Sequence, residues 1–100
     1  EKNLMQLTSV FSNNQALPGK FTCDGGNINP ELNISGVPRE AKSLSLIVDD
    51  PDAPGGDFVH WVLWNLEAET LQIKENAVPG EAIVGKNDFG NNDYGGPCPP

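Results

Sequence analysis

Two apolar runs of β-forming residues dominate the hydrophobic pattern of this chain. The first, over residues 43–48, alternates between polar and apolar positions and then becomes continuously apolar, which is typical of a strand inside a sheet. The second, over residues 58–66, is apolar on both faces, which favours a central strand. Its period of two predicts one face with Phe58, His60, Val62 and Trp64 and another with Val59, Trp61, Leu63 and Asn65. We expect Trp61 and Trp64 to lie in the core.

Shorter and weaker patterns surround these two runs. They predict an edge strand over residues 4–11 and further short strands over 20–23, 32–37, 71–73 and 82–84. A stretch between them, residues 67–70, is long enough for a single helical turn. From residue 85 onward the density of glycine, asparagine and proline predicts a loop. Many short strands separated by turn residues predict an all-β sandwich with short helical turns.

The composition fits one small domain. The 11 glycines and 9 prolines fall between the apolar runs, as turn residues do. The net charge of −8 disfavours binding to nucleic acid and favours solubility. No run of 18 apolar residues and no signal-peptide pattern is present, so no membrane span is expected. The compartment stays open between the cytoplasm and, after processing, the periplasm or the exterior.

An acidic turn over residues 49–57 separates the two strong strands and holds the main candidate chemistry. Asp50 and Asp52 flank Pro51, which restricts their relative orientation. In an extended backbone the two side chains would share a face about 7 Å apart, so their repulsion must be offset by backbone N–H donors or a cation. His60, the only histidine, follows in the second strand.

Other interpretations of this cluster are available from the residues alone. His60 in an apolar strand could be a core histidine that serves packing only. The acidic turn lacks the 12-residue spacing and the closing glutamate of a calcium loop, so no metal site is predicted. Asp50 or Asp52 with His60 could act as the acid and base groups of a weak hydrolase. No nucleophile elbow or phosphate-binding loop supports that reading, and no enzyme activity or cofactor is predicted.

Cys23 and Cys98 are the two cysteines, and two interpretations remain open for them. A disulfide would close a long loop and stabilise the fold by roughly 4 kcal/mol in an oxidising compartment. Two buried free thiols are the alternative. Their separation excludes a close Cys-x-x-Cys pair of the zinc-finger or thioredoxin kind.

Several motifs, in order, resemble the phosphatidylethanolamine-binding protein family, in its bacterial and archaeal branch, which is also described as kinase-inhibitor-like. They are Asp-Asp-Pro-Asp-Ala-Pro at 49–54, His-Trp at 60–61, Asn-Asp-Phe-Gly at 87–90 and Tyr-Gly-Gly-Pro-Cys-Pro-Pro at 94–100. The segments 21–30 and 35–38 match as well. The resemblance implies a β-sandwich of two antiparallel sheets with a small pocket for phosphate, acetate or a phosphoethanolamine head group.

The resemblance also assigns roles to individual residues. Asp50 and His60 would be pocket residues, Asp52 would support the acidic turn, Trp61 would line the wall, and Gly96 with the proline segment that contains Pro97 and Pro99 would form the rim. The family continues into Gly-x-His-Arg-Tyr and a further strand, whereas this chain ends at Pro100. We therefore expect residues 1–100 to be one truncated domain of this type, or a dimer in which a second copy completes it.

The function predicted from these observations is binding of a small anionic ligand or a phospholipid head group by a monomer or dimer. Two alternatives belong to other classes. The chain could be an inhibitor that contacts a protease or kinase through residues 24–30 and 89–100, or it could be the weak hydrolase described above.

Overall fold

A computed structural model describes residues 5–12 and 14–98. The strands are β1 (Gln6–Ser9), β2 (Leu32–Ser35), β3 (Ser43–Asp50), β4 (Phe58–Glu67), β5 (Gln72–Ile73) and β6 (Ile83–Val84), with a 3-10 helix at Gly19–Phe21. They form two antiparallel sheets, a first sheet of order β1-β2-β5 and a second sheet of order β3-β4-β6. The prediction of an all-β fold with two antiparallel sheets is thus confirmed. As predicted, β4 is the central strand of its sheet.

The core lies between the two sheets and is built from one face of each. Its buried members are Leu32 and Ile34 of β2, Trp61, Leu63 and Leu66 of β4, and Ile73 of β5. Trp61 is 1% exposed and meets the ring of Tyr94 edge-on, with centroids 5.6 Å apart. Burying this large ring between the sheets fixes the inward face of β4. The residues that alternate with Trp61 therefore point away from the core.

A β-bulge interrupts the alternation of β4 near its end. Leu46 pairs with Leu63 and Leu44 pairs with Leu66, so two steps along β3 match three along β4. Asn65 takes up the extra residue with a φ of 61°, a left-handed conformation that asparagine tolerates better than most residues. The bulge brings Leu66 into the core. The predicted placement of Asn65 on the same face as Leu63 is therefore wrong.

The outer face of the second sheet corrects two further predictions. Trp64 is 43% exposed instead of buried, because it points away from the core beside Ile83 of β6. The run over residues 43–48 was expected inside a sheet, yet within the described chain β3 pairs with β4 alone and is an edge strand. Ile47, on its outer face, is 62% exposed. The apolar composition of β3 indicated two covered faces, and the described residues cover only one.

The remaining differences lie in short segments. Residues 20–23 were predicted as a strand, but residues 20 and 21 belong to the 3-10 helix and residues 22 and 23 turn the chain after it. The Phe21 and Thr22 amides donate to the carbonyls of Pro18 and Gly19. Residues 67–70 form a turn closed by the Thr70 amide and the Glu67 carbonyl, directly after β4. Residues 85–98 contain no strand, as predicted. This loop returns along β4 and brings its glycine and proline residues to the outer face beside His60.

Candidate functional site

A cavity of about 440 Å³ opens where β3 ends and β4 begins. Its lining combines carboxylates, rings and a histidine: Asp50, Asp52, Ala53, Pro54, Phe58, His60, Phe89, Pro97 and Cys98. The acidic turn supplies one wall, β4 supplies the floor and the loop over residues 85–98 supplies the opposite wall. The acidic turn and the start of β4, which are adjacent in sequence, therefore meet the distant loop at this cavity, which we call the His60 pocket.

His60 is held by the loop at two points. Its ring nitrogen Nδ1 lies 2.7 Å from the carbonyl oxygen of Gly95, and the Gly95 amide donates to the His60 carbonyl at 3.0 Å. Because a carbonyl oxygen can only accept, Nδ1 carries the hydrogen of this bond. The other nitrogen, Nε2, makes no hydrogen bond to any residue that the structure describes. A neutral ring would accept a hydrogen bond there, and a protonated ring would donate one.

Aromatic rings surround the imidazole on its open side. The ring of Phe58 is 5.0 Å from that of His60, and it meets Phe89 edge-on with centroids 4.9 Å apart. Phe58 lies two residues before His60 on the same face of β4, as the period of two predicts. The rings limit the contact of water with the imidazole, which is 7% exposed. A hydrogen bond made there is consequently less weakened by water than one at the surface.

The acidic turn forms the lip of the pocket. The Asp52 amide donates to Asp50 Oδ1 at 3.0 Å, so the turn folds back on the Asp50 carboxylate instead of extending. This bond provides one of the backbone donors that the sequence required to offset the repulsion between the carboxylates. The Val59 amide donates to Asp88 Oδ2 at 2.7 Å, which joins the loop to the start of β4. Both carboxylates thus contribute to the shape of the site.

Asp57 shows the cost of concentrating acidic residues in this turn. A hydrogen bond to the Asp49 carboxyl, followed by partial desolvation and the negative charges of Asp49, Asp88 and Asp50, raises the pKa of Asp57 above its ordinary value. The folded state therefore holds this proton more tightly than the unfolded state does. The associated stability is present at low pH and is lost as the pH rises through the carboxyl range.

Replacing Asp57 by asparagine is expected to raise the midpoint of thermal unfolding slightly at pH 7. The gain should vanish near about pH 3, where ordinary carboxyl groups are protonated in either state. Thermal unfolding followed by circular dichroism at both pH values measures this. Asp24→Asn removes the same charge from an exposed turn and is the matched control. Equal shifts in the two variants at pH 7 would assign the effect to net charge and not to the acidic turn.

The segment over residues 94–98 is tied to the segment over residues 21–27. Gly96 donates its amide to Asn27 Oδ1 at 2.7 Å, and a Cβ at this position would come within 2.2 Å of the Phe21 carbonyl oxygen. Only glycine fits there. The Tyr94 hydroxyl donates to the same Phe21 oxygen at 2.7 Å, and burial raises the pKa of Tyr94 to about 12. These contacts with residues 21–27 thus hold the rim of the pocket in place.

A disulfide joins Cys23 to Cys98 in the structure. The Cys23 amide also donates to the Pro97 carbonyl at 3.0 Å, next to the bridge. Since Pro97 and Cys98 both line the His60 pocket, the bridge anchors the part of the rim that faces His60. Of the two interpretations left open by the sequence, the geometry is that of the bridge.

The predicted site residues divide into three groups. Asp50, Asp52, His60 and Pro97 come together in the pocket. Gly96 lies behind the rim, with its amide already bonded, and the ring of Trp61 lies on the core side of β4, where it lines a separate cavity of about 330 Å³. Pro99 lies outside the described residues. Trp61 differs from the prediction because neighbouring residues of a strand point to opposite faces.

Sequence reasoning missed three groups that shape the pocket. Phe58 could have been found, since it shares a face with His60. Phe89 and Asn87 are in a loop without periodicity, so no pattern placed them near β4. Residues 85–95 are positioned by hydrogen bonds to side chains and to β4, which a single sequence does not display.

Within residues 5–12 and 14–98, no group of three histidine, cysteine or acidic side chains is arranged to hold a metal ion. In the same part of the chain no helix has the length and apolar character needed to cross a membrane.

The two-sheet fold agrees with what comparison with known proteins finds. The family model for phosphatidylethanolamine-binding protein matches residues 7–100. The chain belongs to the phosphatidylethanolamine-binding protein family. Members with solved structures include a phosphatidylethanolamine-binding protein homolog of Chlamydia trachomatis, with a TM-score of 0.91 and 44% identity over 99% of this chain and 68% of that one. Another is Escherichia coli YbcL, with a TM-score of 0.89 and 35% identity over 96% of this chain and 67% of that one.

Similar family members are longer than this chain. A UPF0098 protein of Pyrococcus horikoshii is 48% identical over an alignment of 107 positions, which covers 100% of this chain and 54% of the relative. A UPF0098 protein of Methanothermobacter thermautotrophicus is 45% identical over 93% of this chain and 65% of its own length. The chain thus spans about half to two thirds of the length of these two relatives.

Proposed function

We propose that this member of the phosphatidylethanolamine-binding protein family is a small-ligand binding module that accepts an anionic group, a phosphate, phosphoethanolamine or carboxylate, in the His60 pocket. One observation carries the proposal. The Gly95 carbonyl occupies Nδ1 of His60, and Nε2 is left for the ligand inside a pocket walled by aromatic rings. A protonated imidazole donates from Nε2 to an anionic oxygen, and such charge-assisted bonds are roughly twice as strong as neutral ones.

The acidic lip supports a ligand that also carries a positive charge. Asp50 and Asp52 lie on the wall of the same pocket as His60. An ammonium group of the ligand would lie between these carboxylates and the rings of Phe58 and Phe89, where both charge and cation–π attraction favour it. A zwitterion such as phosphoethanolamine therefore suits the pocket better than a simple anion. The net charge of −8 favours such a ligand over a simple anion, because the protein as a whole repels anions.

The side chains that line the pocket disfavour one route to hydrolysis, covalent catalysis, and leave the acid and base route through Asp50 or Asp52 and His60 to be tested. Among the described residues that line the pocket there is no serine or threonine hydroxyl, and the sulfur of Cys98 is in the disulfide. Covalent catalysis by a hydroxyl or thiol therefore has no candidate nucleophile in the lining.

Titration calorimetry with phosphoethanolamine, inorganic phosphate, acetate and ethanolamine tests the proposal. We expect phosphoethanolamine to bind more tightly than phosphate or acetate, and ethanolamine to bind weakest, because only phosphoethanolamine engages His60 and the acidic lip together. No detectable heat with any of the anions at millimolar concentration would overturn the proposal. Release of phosphate from phosphoethanolamine during the titration would instead favour the hydrolase.

A further inference from the structure

Asn87 is a buried polar residue to which the ligand pocket gives no direct role. It is 3% exposed and does not line the His60 pocket. Its side chain nevertheless uses both of its polar atoms. Oδ1 accepts hydrogen bonds from the amides of Phe89 at 2.9 Å and Asn91 at 3.1 Å, and Nδ2 donates to the Asp93 carbonyl at 2.7 Å. The hydrogen bonds of this one side-chain amide therefore hold the loop over residues 87–93 together.

The same amide contacts the residues that hold His60. Nδ2 lies 3.4 Å from the carbonyl oxygen of His60, which also accepts the Gly95 amide. A Cβ placed on Gly95 would come within 3.2 Å of Asn87 Nδ2 and within 2.5 Å of the Phe89 ring. Gly95 therefore packs directly against Asn87 and Phe89. Its carbonyl, which accepts from His60 Nδ1, is located by that packing.

We propose that Asn87 is a positioning residue for the His60 pocket, which acts through Gly95 to keep the hydrogen of neutral His60 on Nδ1. The proposal rests on the ligand-binding function proposed above. In neutral imidazole, the hydrogen bond made by one nitrogen decides which of the two carries the proton. If the loop relaxes, the Gly95 carbonyl moves from Nδ1 and the hydrogen can reside on Nε2. Without this bond the ring is also free to turn, and Nε2, which donates to the ligand when the imidazole is protonated, is no longer held toward the pocket.

Asn87 also places Phe89, through the bond from the Phe89 amide to Oδ1. Loss of the Asn87 side chain would thus affect two walls of the pocket without removing any atom that touches the ligand. Outer partners of this kind, which orient the groups that bind, typically change affinity about tenfold or more at metal sites.

The test uses the fact that His60 is the only histidine of the chain, so that its imidazole nitrogens give one unambiguous set of signals. Long-range hydrogen–nitrogen correlation spectra of nitrogen-15 labelled protein, at a pH where the ring is neutral, report which nitrogen carries the hydrogen. In the unmodified protein we expect the hydrogen on Nδ1. In Asn87→Ala we expect both nitrogen shifts to move toward each other, as the two tautomers exchange, and phosphoethanolamine affinity to fall about tenfold.

Asn92→Ala is the matched control. Asn92 is in the same loop and donates to the Val84 carbonyl, but it is exposed and does not contact Gly95 or His60 through a hydrogen bond. It is expected to change neither the spectrum nor the affinity. Asn87→Asp keeps the acceptor atom for the Phe89 and Asn91 amides and loses the donor. Because its second carboxylate oxygen would face the carbonyl oxygens of Asp93 and His60, it should change the spectrum at least as much as Asn87→Ala, and any folded variant of the two serves for the test.

Three results would overturn the proposal: the hydrogen on Nε2 in the unmodified protein, an unchanged spectrum in the folded Asn87 variants, or an equal change in Asn92→Ala. A fall in affinity with an unchanged spectrum would give Asn87 a structural role only. If the spectra behave as expected while phosphoethanolamine does not bind to the unmodified protein, the positioning of His60 stands and the proposed ligand is wrong. The two proposals therefore fail separately.

Discussion

Replacing His60 by asparagine is expected to weaken phosphoethanolamine binding about 10- to 100-fold. The estimate follows from the loss of one hydrogen bond to a charged group, worth roughly 1.5–3 kcal/mol, at about 1.4 kcal/mol per tenfold change in affinity. The asparagine amide nitrogen reaches the position of Nδ1, so it can still donate to the Gly95 carbonyl and hold the loop. The variant therefore removes the ligand contact at Nε2 and keeps the contact that positions it.

The dependence of affinity on pH provides the sharper comparison. A protonated imidazole can donate from Nε2 while Nδ1 is bonded to Gly95, whereas a neutral ring bonded in this way can only accept there. Phosphoethanolamine affinity measured by calorimetry should therefore fall as the pH is raised in the unmodified protein. In His60→Asn this fall should be reduced to the part that comes from the ligand's own titration.

His60→Gln is the complementary variant, because its longer amide reaches toward the Nε2 position and gives up the bond to Gly95. We expect it to bind more weakly than the unmodified protein and to unfold at a lower temperature than His60→Asn. The ring contacts with Phe58 and Phe89 are lost in either variant, so affinities should be compared well below both midpoints of unfolding. Equal affinity in His60→Asn and the unmodified protein would remove His60 from the binding site.

The parts of the fold that the sequence predicted are those with local periodicity. The apolar runs of β3 and β4 gave their approximate bounds and the central position of β4. The bulge at Asn65 was not predicted, because a left-handed asparagine inside a strand looks the same in the sequence as an ordinary one. The exposure of Trp64 follows from which face of β4 the first sheet covers, and that is decided by contacts distant in sequence.

Only some residues of the candidate site could be predicted from the sequence. The sequence placed Asp50, Asp52 and His60 close together, since Asp50 ends β3, Asp52 lies in the following turn and His60 is near the start of the paired strand β4, and the resemblance assigned them to one pocket. The position of Pro97 followed from resemblance alone. Trp61 was assigned to the pocket by its motif, although its period places it in the core. The contribution of Asn87 could not be predicted, because it depends on where a loop without periodicity folds back on β4.

The disulfide should have the largest effect on stability. It joins residues 75 positions apart, and in the chain-entropy model a crosslink of that span restricts the unfolded state by on the order of 4 kcal/mol. Domains of this size have a total free energy of unfolding of about 5–15 kcal/mol, so the bridge accounts for a large fraction of it. At about 4–8 °C per kcal/mol, the midpoint of thermal unfolding should fall by roughly 15–30 °C on reduction.

The double variant Cys23→Ala with Cys98→Ala measures this loss without leaving a free thiol, and calorimetry with and without a dithiol reductant provides the comparison. The reductant should lower the midpoint of the unmodified protein to that of the double variant and leave the double variant unchanged. Midpoints within a few degrees of each other in all four samples would mean that the bridge does not form in solution. Because the Cys23 and Gly96 amides still bond to Pro97 and Asn27, the rim should persist in the folded double variant. Its affinity for phosphoethanolamine should then fall less than that of His60→Asn, which separates the bridge's effect on the unfolded chain from any effect on the pocket.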